Sequence, residues 1–302
     1  MKKIFIAASS LLLAFSISSS VMAAPSSSAN LNVNGVKQVD QKPLIINQTT
    51  MVPIRALTLM RIFKVEWDGK TNSITVANSK SKETVKMTVN SKIAYQGNSK
   101  LTLDTPPKNV KGTVYVPLKF IGESLGANVV WDAGTRTAVI YNSNTEGAET
   151  SKDIVKARAA VLSLPHISLY DPIPTISESN ISKYYFPYGK TQRFFVLEGD
   201  IIKYYEVKDQ AAWQIWAGKL NFAKQQDDKD IISNLSQSII QESGKRPSGS
   251  DQYVYFTDYF LGDMIDYGVV GKDGKAKELG KFNYTDRTQP FIKEIEGEKR
   301  TD

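Results

Sequence analysis

The stretch "MVPIRALTLMRIFKVEWDGKTNSITV", Met51 to Val76, returns sixty-four residues later as "YVPLKFIGESLGANVVWDAGTRTAVI", Tyr115 to Ile140. At that offset Val52/Val116, Pro53/Pro117, Val65/Val129, Trp67/Trp131, Asp68/Asp132 and Thr71/Thr135 are identical. Upstream, Asp40/Asp104, Pro43/Pro107 and Thr49/Thr113 extend the match. One fixed spacing carrying so many identities marks an internal repeat, residues 31–76 and 95–140.

Each shared residue has a structural reason. Pro53 and Pro117 sit where a short strand gives way to a helix, because a first turn has no use for the missing N–H. Ile54, Leu57 and Met60, and then Leu118, Ile121 and Leu125, recur at helical spacing. The period then changes to two, so Val65 and Trp67 share a side, as do Val129 and Trp131. Asp68 and Asp132 open a polar turn by accepting from their own downstream backbone. A return strand follows at 74–76 and 138–140, and "ETVKMTV" between the copies alternates as another strand. The expectation is a small antiparallel sheet wrapped round short helices, with both tryptophans buried. The second helix should stop on a left-handed Gly126. The first has Ile62 at that place, so it should end differently, about a turn longer.

These motifs, VP[LI][KR] and V-x-WD twice in register over about residues 30–142, resemble the copper amine oxidase N-terminal domain-like family, also called stalk domains. The resemblance implies an accessory module on secreted bacterial proteins, apart from any catalytic centre. It does not imply copper chemistry here. An amine oxidase site needs three histidines and a modified tyrosine. This chain has one histidine, His166, and no cysteine, and in "FNYTD" Thr285 separates Tyr284 from the acid. No metal or cofactor is expected.

Residues 1–23 read as a signal peptide: basic Lys2 and Lys3, an apolar stretch from Ile4 to Ile17, and small residues Val21 and Ala23 before the cut. That stretch is too short for a bilayer needing about 20 residues. No later run is long enough, so no membrane span is expected after its removal. Export without cysteine suits a bacterial secreted protein, held to a surface, if at all, without a covalent link.

Charge divides the chain. Residues 1–150 hold 17 Lys+Arg against 9 Asp+Glu, a net of +8, or +6 without Lys2 and Lys3. Residues 151–302 hold 21 against 22, a net of −1. With residues 143–152 as a polar linker, this reads as a stalk-like domain at 30–142 and a separate α+β domain at 153–302. Outside a cell the basic half favours anionic wall polymers, or simply solubility. No nucleic-acid motif is present.

In the second half, 153–164 reads as a helix with Ile154, Val155, Ala159 and Leu162 inward. The runs 194–197 and 201–207 read as a hairpin. Asp209 is expected to cap a helix faced by Trp213, Trp216, Ala217 and Leu220. Residues 227–244 read as an amphipathic helix with Asp227, Asp228 and Asp230 at its start and Gly244 at its stop. Strands are expected over 251–260 and 263–271, a turn over 271–281, and a last strand over 289–297. His166, in the proline-punctuated loop 164–180, is expected to be solvated.

Asp258, Asp263 and Asp266 are the candidates for chemistry, as a carboxylate pair of a hydrolase, against the plainer reading of a wet sheet face. The spacing does not fit a calcium loop. The expected function is a secreted, non-enzymatic protein: a stalk-like attachment or spacer module followed by a binding domain associated with the cell wall, its partner an anionic wall polymer or an extracellular protein. The alternatives are an extracellular hydrolase targeted by its stalk domain, and a structural wall or matrix component.

Overall fold

A computed structural model describes residues 29–143, 145, 147–175, 179–224, 228–250, 252–284 and 291–302. The signal peptide, Asp227, Thr285 and Asp286 lie outside them. The first copy runs β1 (Asn30–Val33), β2 (Val36–Gln38), β3 (Leu44–Ile46), β4 (Thr49–Pro53), a 3-10 turn (Ile54–Leu59), β5 (Phe63–Asp68) and β6 (Ser73–Asn78). A lone strand, β7 (Thr84–Thr88), follows. The second copy runs β8 (Ile93–Gln96), β9 (Ser99–Thr102), β10 (Lys108–Val110), β11 (Thr113–Pro117), α1 (Leu118–Ser124), β12 (Asn128–Asp132) and β13 (Thr137–Tyr141).

The copies are intertwined. In the sheet β10-β11-β4-β3, the central strands pair antiparallel with Val52 opposite Val116. These are counterparts in the repeat, so a pseudo-two-fold axis passes between them. The sheet β12-β13-β1-β2 joins the last hairpin of copy two to the first hairpin of copy one, with β1 parallel to β13. The sheet β5-β6-β7-β8-β9 joins the converse pair, with β7 inserted between β6 and β8. Every neighbour in this second sheet is therefore antiparallel. Both copies bury side chains in one core, among them Leu31, Leu57, Ile74, Val116, Ile121 and Ile140.

The turns follow their residues. Asp68 Oδ1 accepts from Lys70 N at 2.9 Å, and Asp132 Oδ2 accepts from Thr135 N at 2.7 Å. Pro53 and Pro117 each stand immediately before their helical turn. Gly126 takes φ +74° and stops α1, with Ala127 N donating to Gly122 O at 2.8 Å. The first helix is not longer, as its sequence suggested. It stays 3-10 and closes with Met60 N on Leu57 O at 3.1 Å. Ile62 avoids the left-handed region, where a β-branched residue is penalised.

The tryptophans are not interior. Trp67 is 40% exposed and Trp131 44%. Both lie on edge strands, β5 and β12, near the hairpin tip. Trp67 has Ile74 beside it and Trp131 has Ala138, but neither has a strand on its other flank.

The second half builds one nine-stranded sheet: β14 (His166–Ile167), β15 (Ile181–Pro187), β16 (Arg193–Glu198), β17 (Ile201–Lys208), β18 (Ala211–Leu220), β19 (Ile239–Gly244), β20 (Tyr253–Tyr259), β21 (Met264–Val270) and β22 (Ala276–Asn283). Its order is β14-β18-β17-β16-β15-β20-β21-β22, with β19 also on β18. Alternate residues fill two cores. Phe186, Phe194 and Phe256 meet Val161 of α2 (Ile154–Leu162) and the tail residues Ile292 and Ile295. Tyr185, Phe195 and Tyr255 meet Ile231 and Ile232 on the other face. The α+β class holds.

Several second-half expectations fail. The helix expected after Asp209 is strand β18. Asp209 and Gln210 take φ 50° and 58°, the two left-handed residues of a tight hairpin. A bulge sets Trp213 opposite Glu206 but Trp216 opposite Tyr204. The extra residue puts both tryptophans on one face, which imitates helical spacing. The long helix shrinks to a 3-10 turn (Ile231–Asn234) and α3 (Leu235–Ser238) before β19. The turn expected over 271–281 continues into β22. Residues 291–297 form no strand. On α2 the buried residues are Ile154, Ala157, Arg158 and Val161, a face rotated from the expected one.

Candidate functional site

The β20–β21 hairpin carries all three candidate carboxylates. Asp258 stands opposite Ile265, and Asp266 opposite Thr257. Neighbouring residues of a strand point to opposite faces, so Asp258 and Asp266 lie on opposite faces of the sheet. Asp258 Oδ1 accepts from Tyr284 OH at 2.8 Å. Asp266, 8% exposed, accepts on Oδ2 from Tyr259 OH at 2.8 Å, and its Oδ1 is buried without a partner. Asp263 is exposed in the turn at φ 46°. The fold does not gather these three.

It gathers another set, which the sequence reading missed. Asp230 is buried on the Tyr185 side of the sheet. Its carboxylate accepts from Lys183 Nζ at 2.7 Å, Tyr185 OH at 2.8 Å and Ile232 N at 3.1 Å. The Lys183 ammonium lies 4.1 Å from the centre of the Tyr255 ring. Burial, then the Asp230 charge, holds the Tyr185 phenol well above its ordinary pKa. Tyr259 is pushed up to about 12 by burial and then by its bond to Asp266. These phenols are protonated at neutral pH, and they donate hydrogen bonds rather than attack. The available signal was the acidic run at 227–230. Asp230 does cap the turn that follows it, as a residue so placed can.

A second missed cluster ties the tail to α2. Arg158 and Glu298 are buried and paired through both guanidinium nitrogens, at 2.7 and 2.8 Å. Gly189 N also donates to Glu298, at 2.7 Å. Beside this pair runs an open groove of about 710 Å³, edged by Lys152, Lys293, Lys299 and Arg300 and by Asp153 and Glu294. A smaller one, about 330 Å³, lies near Arg193 and Asp302. Their charged linings differ from the apolar cleft usual for a small-molecule site.

The two halves meet on the outer face of β12-β13-β1-β2. Val139 and Tyr141 pack with Ile167 and Ala211, and the Tyr141 and Trp213 rings meet edge-on at 6.1 Å. Tyr141 OH donates to Asp209 O at 2.6 Å, and Asn32 Nδ2 donates to Ser168 O at 2.9 Å. Gly35, at φ +86°, lies against His166, where an added Cβ would come within 2.0 Å of the carbonyl oxygen. Residues 147–152 are also packed: Glu149 is buried, and its carbonyl accepts from Gln192 Nε2 at 2.8 Å.

His166 is not solvated. Its ring lies 4.7 Å from Tyr205 and 5.9 Å from Phe194, and its Nε2 is buried without a partner. Burial and then Lys203 pull its pKa down to about 4. Among the described residues no three His, Cys, Asp or Glu side chains are grouped to hold a metal ion.

No helix among the described residues is long and apolar enough to cross a membrane. No curated protein matches this chain. Residues 31–140 match the family described as the copper amine oxidase N-terminal domain, and the intertwined front module is a member of that family.

Proposed function

We propose that this is an exported, non-enzymatic protein whose stalk-like front module is an attachment and spacer element for a back module that binds a partner at the cell wall. The signal-peptide pattern of residues 1–23 supports export. The observation that carries binding over chemistry is the placement of Asp258 and Asp266 on opposite faces of one sheet, each carboxylate taken by a tyrosine. The packed junction at Tyr141, Trp213 and Asn32 supports a spacer that holds the back module at a set angle. The polymer to which the front module attaches is anionic, matching the net +8 of residues 31–140, which hold 15 Lys+Arg against 7 Asp+Glu.

The test is co-sedimentation of residues 24–302 with purified Gram-positive cell walls. The protein pellets at low ionic strength and is released as salt shortens the range of charge attraction to about 3 Å at 1 M. Protein left in the supernatant at every salt concentration would end this reading. The rival hydrolase keeps one favourable observation, the buried unpartnered Oδ1 of Asp266. It requires soluble sugar to appear in that supernatant and to vanish with Asp266→Asn.

A further inference from the structure

The pseudo-two-fold axis gives the front module two hairpin-built sheets, and their outer faces have different fates. In β12-β13-β1-β2 the outer face presents Val130, Val139 and Tyr141, and it is covered by the back module. Sixty-four residues earlier, the counterparts in the other sheet are Glu66, Thr75 and Ala77. The same scaffold thus carries an apolar docking face on one side and a polar face on the other, and that polar face remains open.

The strands that complete the open face give it a specific chemistry. The cross-strand registers place Glu66, Thr75, Lys86, Tyr95 and Lys100 in one row over five strands. Tyr95 is 45% exposed and stands between Lys86 and Lys100. The strand spacing puts those two lysines about 10 Å apart at the backbone. The row on one side contains the exposed Lys64, Ala77 and Thr84, and the row on the other contains Asp68, Ser73 and Thr88, with the Asp68 carboxylate already accepting from Lys70 N and Thr71 Oγ1. Among the described residues, neither Tyr95 nor Lys64, Lys86 or Lys100 has a side-chain hydrogen bond or an ion pair, so their polar atoms face water.

We propose that this outer face of β5-β6-β7-β8-β9 binds an acidic polysaccharide. Its pyranose C–H face lies on the Tyr95 ring, and its carboxylates lie on Lys64, Lys86 and Lys100. A phenol ring joins an apolar body to a polar edge, which suits a sugar. The threonine hydroxyls of the face offer donors and acceptors to the ring hydroxyls. Flanking ammonium groups select an anionic chain over a neutral one. A single aromatic residue on this sheet face gives no succession of platforms for stacked bases, which separates it from single-strand nucleic-acid grooves. The inference rests on the wall-attachment reading and names the face that would carry it.

The test uses residues 24–302 on immobilised polygalacturonate, with dextran as the neutral polymer and oligothymidylate as the polyanion without pyranose rings. Binding to polygalacturonate, and none to dextran, is expected at low salt. Lys86→Glu/Lys100→Glu and, separately, Tyr95→Thr weaken it on the order of tenfold, the scale of steering by local charge. Thr keeps the strand preference of position 95. Lys42→Glu/Lys119→Glu makes the same change in net charge away from this face and alters binding less than twofold. Circular dichroism of each variant checks that the fold is kept. Equal losses in both double-lysine variants, no loss with Tyr95→Thr, or tighter binding to oligothymidylate would each overturn the proposal. If wild-type protein pellets with walls but ignores polygalacturonate, this inference fails while attachment stands. If it ignores both, the attachment reading itself has failed.

Discussion

Arg158 and Glu298 form an ion pair at 2.7 Å with both side chains almost fully buried. Removing one partner strands the other, which costs about 3–5 kcal/mol in buried pairs. Glu298→Gln should lower the stability of the back module by an amount in that range, measured by urea unfolding. His166 makes a different demand. Its folded pKa, about 4, lies below the ordinary 6.5 of a histidine. Between these values the unfolded chain binds a proton that the folded chain refuses, so stability falls as pH drops from 6.5 to about 4 and then levels off. A loss of up to about 3 kcal/mol across that window follows from the shift. His166→Phe should flatten the window in pH-dependent melting curves. Neither residue announced its role in the sequence. An arginine on a helix and a glutamate in the tail, 140 positions apart, are brought together only by packing. A histidine between prolines gives no sign that tyrosine and phenylalanine rings will enclose it.

Among elements, the repeat was the legible part. Prolines at strand ends, the Asp-opened turns and Gly126 are local signals, and local signals survive into the fold. The tryptophans defeated the same logic, because burial depends on where a strand sits in its sheet, and both of theirs are edges. The β17–β18 hairpin failed for a related reason. Two non-glycine residues with positive φ do not advertise a tight turn, and a bulge made a strand look helical. Gln210→Gly tests that turn. A glycine there relieves the left-handed penalty and should raise stability by about 0.5–1 kcal/mol. In a helix the same change would lower stability by about 1 kcal/mol. A lowered melting temperature for Gln210→Gly would therefore contradict the hairpin.

For the whole molecule, the organising fact is that the two halves of the front module exchange hairpins across a pseudo-dyad. This gives one face to the back module and leaves its counterpart to solvent. Charge asymmetry between the halves was readable from composition alone. Which surface each charge would occupy was not, because β7, which supplies Lys86, belongs to neither copy. If the junction couples the modules, wild-type protein should melt in one calorimetric transition. Tyr141→Ala/Trp213→Ala should split it into two by deleting the ring contact and the hydrogen bond to Asp209. The candidate carboxylates, close in sequence, were separated by the period-two alternation of a strand. That separation leaves charge-driven attachment as the function to be measured. Residues 24–302 should be mixed with purified walls, and the pelleted fraction and the soluble sugar followed together at low and high salt. The account predicts protein held on the walls at low salt, freed at high salt, and no sugar released at either. Walls that dissolve, or protein that never pellets, would contradict it.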